Sequence, residues 1–222
     1  MNVFDLMTPH GYEQVAFCHD QATGLKAIIC IHNTQLGPGL GGTRFYPYPD
    51  ETAALTDVVR LARAMSYKNA GAGLNAGGAK AVIIGDPVQL RSEPFLRAYG
   101  RFVHSLNGRY QTTTDVGTIT ADLDVIREET PYVTGCSPAF GGGGDTSVLT
   151  GLTVYLGMKA AAKHAFGSDS LAGKRIAIQG AGKVGYYLMK NLVAEGPELL
   201  VTDISDAMAQ RAVREFGAKP YD

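Results

Sequence analysis

Residues 175–203, RIAIQGAGKVGYYLMKNLVAEGPELLVTD, decide the fold class of this chain. A short apolar run, RIAIQ, precedes three glycines with the spacing G-x-G-x-x-G, and a periodic apolar segment then leads to a second apolar run, LLVTD. This order predicts a strand, a glycine turn, a helix and a strand, the unit from which parallel sheets with flanking helices are built. The chain is therefore expected to be α/β.

The same stretch indicates a dinucleotide site. Gly180, Gly182 and Gly185 would let the backbone approach a pyrophosphate, whose charge the helix N-terminus stabilises. Asp203 follows Gly185 by eighteen residues and can accept hydrogen bonds from a ribose diol. Because the next residues, ISD, contain no arginine, NAD is favoured over NADP. A strand–helix–strand unit that serves packing alone is the alternative.

A run of four glycines, Gly141–Gly144, divides the chain. We interpret it as a hinge, with a disordered linker as the alternative. We expect a first domain over 1–137 and a partial Rossmann-type dinucleotide domain over 138–222, opened by a helix over about 146–166. Because a doubly wound sheet needs further strands after LLVTD, the chain is expected to be a truncated part of a longer protein.

The first domain is predicted to combine a hairpin with two long helices. EQVAFCHD and LKAIICIHN, separated by QATG, predict the hairpin, whereas the glycine-rich segment 34–44 predicts a loop. Asp50 is placed to cap a helix that runs from 52 to about 69, and apolar spacing predicts a second helix over 95–106. A short strand, RYQTTT, then leads into Asp115.

Two lysines and one aspartate are candidates for chemistry on an amino acid. Lys80 ends LNAGGAK, before an apolar run that predicts a buried strand, so its amine would stand at a strand mouth where desolvation favours the neutral, basic form. A solvated lysine that ends a glycine turn is the simpler alternative. Lys68 shares a helix face with Met65 and would point inward, although a solvated cation at a helix C-terminus is commoner. Asp115 follows a strand and either serves chemistry or caps a turn.

Composition narrows the classes of partner. The formal charge is −1, so nothing indicates nucleic acid or an anionic membrane surface, and small molecules or further copies of the chain are the expected partners. The three cysteines, Cys18, Cys30 and Cys136, lack metal-ligand or disulfide spacing, and we expect reduced thiols and no metal site. The first ten residues carry no lysine or arginine and no long apolar run, so a cytoplasmic protein is expected.

The chain resembles the glutamate/leucine/phenylalanine/valine dehydrogenases, and is most similar to the branched-chain members. The likeness covers nearly all 222 residues, through GPGLGGTRFYP, LARAMSYKNAGAGLNAGGAKAVIIGDP, LNGRYQTTTDVGT, GGGGDTSVLTGLTVYLGMKAAAKHAFG and GAGKVG. The resemblance implies an N-terminal substrate domain, a C-terminal NAD-binding domain, a cleft that closes for hydride transfer, and a homo-oligomer.

The resemblance also implies a role for each matching residue. Lys68 would hold the substrate α-carboxylate, Lys80 would be the catalytic base that activates water, and Asp115 would exchange protons with the substrate nitrogen. The substrate pocket would be lined by Gly41, Gly42, Leu40, Met65 and Thr113. The residues expected to contact NAD are Gly180, Gly182, Lys183, Val184, Gly185 and Asp203.

Two departures bear on substrate and activity. Glutamate-specific relatives carry a lysine where Leu40 stands, which favours an aliphatic substrate, whereas Thr113 and Thr114 replace the Ala-Glu common in leucine-active relatives. We therefore expect oxidative deamination of leucine or valine to a 2-oxo acid and ammonia, with phenylalanine as an alternative substrate. A truncated, non-catalytic paralogue that acts as a binding module is the alternative from another class, and the 222-residue chain alone is expected to be inactive.

Overall fold

A five-stranded mixed sheet organises the first part of the chain. The computed structural model describes residues 2–221. The sheet has the order β1-β2-β4-β3-β5, with strands β1 Gln14–Asp20, β2 Leu25–Asn33, β3 Gly39–Tyr46, β4 Gly77–Ile84 and β5 Tyr110–Thr114. Strands β1 and β2 form the predicted antiparallel hairpin, β4 runs antiparallel to β2, and β3 lies parallel to both β4 and β5.

Helices cover both faces of this sheet. They are α1 Val3–Met7, α2 Glu51–Gly71, α3 Pro87–Leu90, α4 Glu93–Ser105 and α5 Thr120–Glu129. Helix α2 packs Val58 and Ala62 against Ile28 and Val82 on one face, while α4 and α5 build a second core on the other. Neighbouring residues of β2 and β4 enter opposite cores, as the period of a strand requires. Asp50 is the N-cap of α2 and fixes the start of this helix, because its carboxylate accepts a hydrogen bond from the Ala53 amide.

The prediction of a loop over 34–44 is wrong for its second half, because β3 begins at Gly39 and lies inside the sheet. Its glycines are required by close backbone approach. A Cβ at Gly41 would overlap the Ala79 carbonyl oxygen, and one at Gly42 would lie 2.5 Å from the Thr114 carbonyl oxygen. Glycine here marks crowding between strands rather than a turn.

The predicted place of Lys80 also needs correction. The buried strand is confirmed, but β4 begins three residues earlier, at Gly77, so Lys80 lies within the strand and not at its mouth. A Cβ at Gly78 would overlap the Oγ and backbone nitrogen of Ser66 in α2. The glycines before Lys80 therefore let helix α2 approach the sheet closely.

The second part of the chain holds a three-stranded parallel sheet of order β6-β7-β8. Its strands are β6 Arg175–Gln179, β7 Glu198–Thr202 and β8 Lys219–Pro220, and its helices are α6 Ser147–Phe166, α7 Lys183–Leu192 and α8 Asp206–Phe216. The predicted strand, glycine turn, helix and strand are thus confirmed, whereas β8 was not predicted. An α/β unit followed by the first part of a doubly wound sheet is the predicted fold class.

The two parts are compact units that divide between Asp145 and Thr146, just after the glycine run. Gly142 and Gly144 donate hydrogen bonds to the carbonyls of Ser137 and Cys136, at 3.1 and 2.9 Å. The predicted domain boundary at 137/138 lies before this turn. Within residues 2–221, no helix combines the length and apolar character that crossing a membrane requires.

Candidate active site

Three neighbouring strands bring the predicted residues of the first unit together. Lys80 is the fourth residue of β4, β5 ends directly before Asp115, and β3 lies between these two strands. Gly42 in β3 pairs with Thr113 in β5, and a Cβ at Gly42 would lie 3.0 Å from the Asp115 Cβ. The absence of a side chain at Gly42 therefore leaves room beside Asp115.

Lys80 and Asp115 form a largely buried ion pair. The Lys80 Nζ lies 3.1 Å from Asp115 Oδ1, with 6% of the lysine side chain and 23% of the aspartate side chain exposed. An ammonium loses most of its hydration at such a position, so it must depend on the carboxylate and neighbouring dipoles.

Burial lowers the pKa of the Lys80 amine below its ordinary value of 10.5, against the opposing attraction of Asp115. The positive charges of Arg44 and Lys68 act in the same direction as burial. For Asp115, burial alone would raise the pKa, but Lys80 and Arg44 outweigh it and hold the pKa below its ordinary value of 3.8. Asp115 is thus an anion near neutral pH, and Lys80 releases its proton more readily than a solvated lysine.

Arg44 is a member of this cluster that the sequence reasoning missed. Its Nε lies 2.9 Å from Asp115 Oδ2, and its Nη1 lies 2.7 Å from Asp57 Oδ2. The Tyr48 hydroxyl donates to the same Asp57 oxygen at 2.6 Å. A correct assignment of β3 as a strand would have given the signal, because Arg44 lies two residues after Gly42 and so shares its face.

Lys68 lies in the last turn of α2 and is exposed, so the prediction that it points inward is wrong and the alternative, a solvated cation at a helix C-terminus, describes it. The next residue, Asn69, fixes this end of the helix, because its Nδ2 donates to the carbonyls of Gly77 at 2.6 Å and Leu40 at 3.2 Å. Lys68 makes no ion pair with any of the residues 2–221, yet its charge contributes to lowering the Lys80 pKa. The positive charge of Lys68 therefore disfavours the protonated form of Lys80.

The residues predicted to line a side-chain pocket lie on the same elements. Leu40, Met65 and Thr113 are each half-buried, on β3, α2 and β5. A Cβ at Gly41 would lie 3.3 Å from the Met65 Cγ, so this glycine leaves space next to the methionine. The first unit thus combines two lysines, one aspartate and a partly apolar surface around two glycines.

The glycine turn of the second unit joins β6 to α7. Gly180 has a φ of 97°, which favours glycine, and a Cβ at Gly185 would overlap the Gly180 carbonyl oxygen. Gly182 is the N-cap of α7, and the exposed Lys183 and Val184 open this helix. The Asp203 carboxylate accepts hydrogen bonds from the amides of Ala181 at 2.6 Å and Ser205 at 2.8 Å, so it lies against the turn.

The known proteins that this chain matches are amino acid dehydrogenases. A leucine dehydrogenase of Geobacillus stearothermophilus is 58% identical over 222 residues, which is 100% of this chain and 60% of that protein. A valine dehydrogenase of Streptomyces virginiae is 53% identical over 205 residues, which is 92% of this chain and 57% of that protein. The crystal structure of L-tryptophan dehydrogenase from Nostoc punctiforme matches with a TM-score of 0.67 at 43% identity, over 99% of this chain and 62% of that one.

The chain therefore spans about 60% of the length of the leucine dehydrogenase it matches. The family profile described as "Glu/Leu/Phe/Val dehydrogenase, dimerisation domain" matches residues 12–132, more than half of the chain. That range contains strands β1 to β5, helices α2 to α5 and the charged cluster of the first unit. The chain belongs to the Glu/Leu/Phe/Val dehydrogenase family.

Proposed function

We propose that this chain supplies the substrate-binding and proton-transferring residues of an NAD-dependent amino acid dehydrogenase that deaminates leucine or valine. The products are the 2-oxo acid and ammonia. The observation that carries the proposal is the buried Lys80 amine, whose pKa is lowered and which lies 3.1 Å from Asp115 in the field of Lys68. Deamination of an amino acid requires a cation that binds the substrate carboxylate, a basic amine, and a protein carboxylate that exchanges protons with the substrate nitrogen.

Lys68 binds the substrate α-carboxylate in this proposal. It is a cation in the last turn of α2, a helix end that the hydrogen bonds of Asn69 fix, and it makes no ion pair within the described residues. A carboxylate placed there would also face Gly41 and Gly42, where a Cβ would crowd Ala79, Met65 or Asp115. Binding of the carboxylate orients the α-carbon and the α-amino group towards the pair of Lys80 and Asp115.

Asp115 and Lys80 divide the proton transfers. Asp115, an anion with a lowered pKa, accepts a proton from the substrate ammonium, so the nitrogen lone pair becomes available. Once the α-carbon has become an imino carbon, neutral Lys80 takes a proton from water as the water oxygen adds to that carbon. Asp115 then returns its proton to the nitrogen. As the C–N bond breaks, the proton of the new hydroxyl group passes to the departing ammonia, which leaves as ammonium while the 2-oxo acid forms.

The glycine turn fits a dinucleotide. Gly180, Gly182 and Gly185 are the residues that would hold the pyrophosphate, next to Lys183 and Val184 at the start of α7. Asp203 lies against the turn, where it would accept hydrogen bonds from a ribose and repel a 2′-phosphate. NAD, when bound, supplies the acceptor for the hydride of the α-carbon.

The pocket residues support an aliphatic substrate. Leu40, Met65 and Thr113 bring no charge to the surface around Gly41. A second carboxylate placed there would lose hydration without a cation to replace it, which disfavours glutamate.

Two broader features belong to the same proposal. The substrate residues belong to a domain over 1–137 and the cofactor residues to a partial domain over 138–222. Assembly into a homo-oligomer is supported by the family profile, whose description names a dimerisation domain.

Turnover of a chimera tests the proposal. Residues 1–222 are joined to the part of the Geobacillus stearothermophilus leucine dehydrogenase that follows the matched region, and initial rates are measured with NAD or NADP. The panel contains L-leucine, L-valine, L-phenylalanine and L-glutamate. The proposal predicts the highest kcat/KM with NAD and leucine or valine. Equal use of NADP, or faster turnover of glutamate, would contradict the assignments of Asp203 and Leu40.

A further inference from the structure

Asp115 lies between two cations, Lys80 and Arg44. Its Oδ1 faces Lys80 Nζ at 3.1 Å, and its Oδ2 faces Arg44 Nε at 2.9 Å. The Arg44 side chain is itself mostly buried, with 24% exposed. Each carboxylate oxygen thus has one cationic partner.

Asp115 and Arg44 have opposite effects on the Lys80 proton. A base needs a neutral amine, whereas the negative charge of Asp115 holds the proton on Lys80 and works against burial. Arg44 opposes this attraction because its positive charge acts on Lys80 directly and on the Asp115 carboxylate at Oδ2. Without it, the whole carboxylate charge would act on Lys80.

The anchoring of Arg44 makes this arrangement rigid. Arg44 extends from β3, and Nη1 reaches Asp57 Oδ2 at 2.7 Å while Nε reaches Asp115. Asp57 is in turn held by the Tyr48 hydroxyl. A guanidinium presents several donors in one plane and can join two carboxylates at once, which an ammonium on a flexible chain does less well.

We propose that Arg44 is a positioning residue for the Lys80–Asp115 pair. Its guanidinium holds Oδ2 of Asp115 so that Oδ1 stays directed at Lys80, and its charge weakens the hold of the carboxylate on the Lys80 proton. The inference rests on the proposed function, in which Lys80 must become neutral to act as a base.

Titration of the Lys80 amine in the 222-residue chain tests this role without any turnover. Trace labelling with acetic anhydride across a pH series, read by mass spectrometry of the peptide that contains Lys80, gives a midpoint and a plateau. The midpoint reports the proton affinity of the amine, while the plateau reports its accessibility to the reagent. A purely structural role for Arg44 would change the plateau alone.

Arg44→Gln removes the charge and is expected to move the midpoint to higher pH. At a pH below both midpoints, labelling of Lys80 should then fall by about tenfold for each pH unit by which the midpoint rises. Arg44→Lys keeps the charge but loses the planar guanidinium that contacts two carboxylates at once. The Lys80 midpoint in this variant should therefore lie between those of Arg44→Gln and the parent. An unchanged midpoint in Arg44→Gln, or identical midpoints in the two variants, would overturn the proposal.

Asp57→Asn provides a second variant of opposite sign, should Arg44→Gln fail to fold. It keeps Arg44 but removes its other carboxylate, so the guanidinium charge acts undivided on Asp115 and the Lys80 midpoint should fall. An upward movement would contradict the role of Arg44. Because the readout is the amine itself, inactivity of the chimera would overturn the proposed function while leaving this result intact.

Discussion

Replacing Gly78 with alanine is expected to destabilise the first unit, because the added methyl group displaces α2 from β4. The added Cβ would overlap the Oγ and backbone nitrogen of Ser66 and would lie 2.6 Å from its Cα. Carbon atoms pack at roughly 3.5–4.0 Å, so the helix must yield by about 1 Å. Its last turn carries Lys68, so the end of α2 that we propose binds the substrate carboxylate would move most.

The magnitude follows from two opposing effects. Overpacking of a filled core costs about 1–3 kcal/mol. Removing the excess backbone freedom of a strand glycine recovers roughly 0.5–1 kcal/mol. A net loss of about 1–2 kcal/mol is expected, a large fraction of the roughly 5–15 kcal/mol typical of a folded protein.

Urea unfolding followed by hydrogen exchange and mass spectrometry measures this loss in peptides from α2 and β4. Gly71→Ala is the matched control, since it makes the same change in α2 where no heavy atom lies within 4 Å of the new Cβ. The control should be neutral or more stable by up to about 1 kcal/mol. If Gly78→Ala were as stable as the parent, with unchanged protection of α2, close packing would not explain this glycine.

Three further predictions concern other parts of the molecule. Gly185→Ala should weaken NAD binding at least about tenfold in equilibrium titrations, because its Cβ would meet the Gly180 carbonyl, whereas Gly157→Ala, which meets nothing within 4 Å, should bind like the parent. Leu40→Lys in the chimera should raise the kcat/KM for L-glutamate relative to L-leucine by more than about tenfold, since a cation offsets desolvation of the second carboxylate; an unchanged ratio would remove Leu40 from the pocket. Asp115→Asn should lose stability relative to the parent at pH 7, and this loss should be smaller at pH 3. Burial opposes the Asp115 charge, yet Lys80 and Arg44 hold its pKa below 3.8, so its contribution is complete above that pH and declines as pH falls towards the folded pKa. An equal difference in urea unfolding at both pH values would contradict this last one.

The sequence predicted the elements whose signals are local. Helix α2 was found because Asp50 caps it and its apolar residues recur at three or four positions. The helix predicted over about 146–166 is α6, and the structure ends it at Gly167 in a left-handed conformation. The second unit was found because its glycine motif lies between two apolar runs. In each case, the residues that determine the structure are close together in the sequence.

The errors came from signals that depend on distant neighbours. The glycines of β3 were assigned to a loop because glycine favours turns, but Gly41 and Gly42 face the carbonyls of Ala79 and Thr114 in adjacent strands. Arg44 was missed because its partner Asp115 lies 71 residues away. The chain alone does not give that contact, so the charged cluster was predicted as three residues and the structure adds Arg44, which pairs with Asp115.

Rescue of a Lys80→Ala chimera by small amines tests the central role of Lys80 most directly. Removal of a general base lowers kcat by about 10²- to 10⁴-fold, and L-leucine should still bind through Lys68. Methylamine or ethylamine, which place an amine in the space that Lys80 leaves beside Asp115, should restore NADH formation in proportion to the concentration of the free base. Turnover within tenfold of the parent without added amine, or a large loss that no amine restores, would contradict the role of Lys80 as the base.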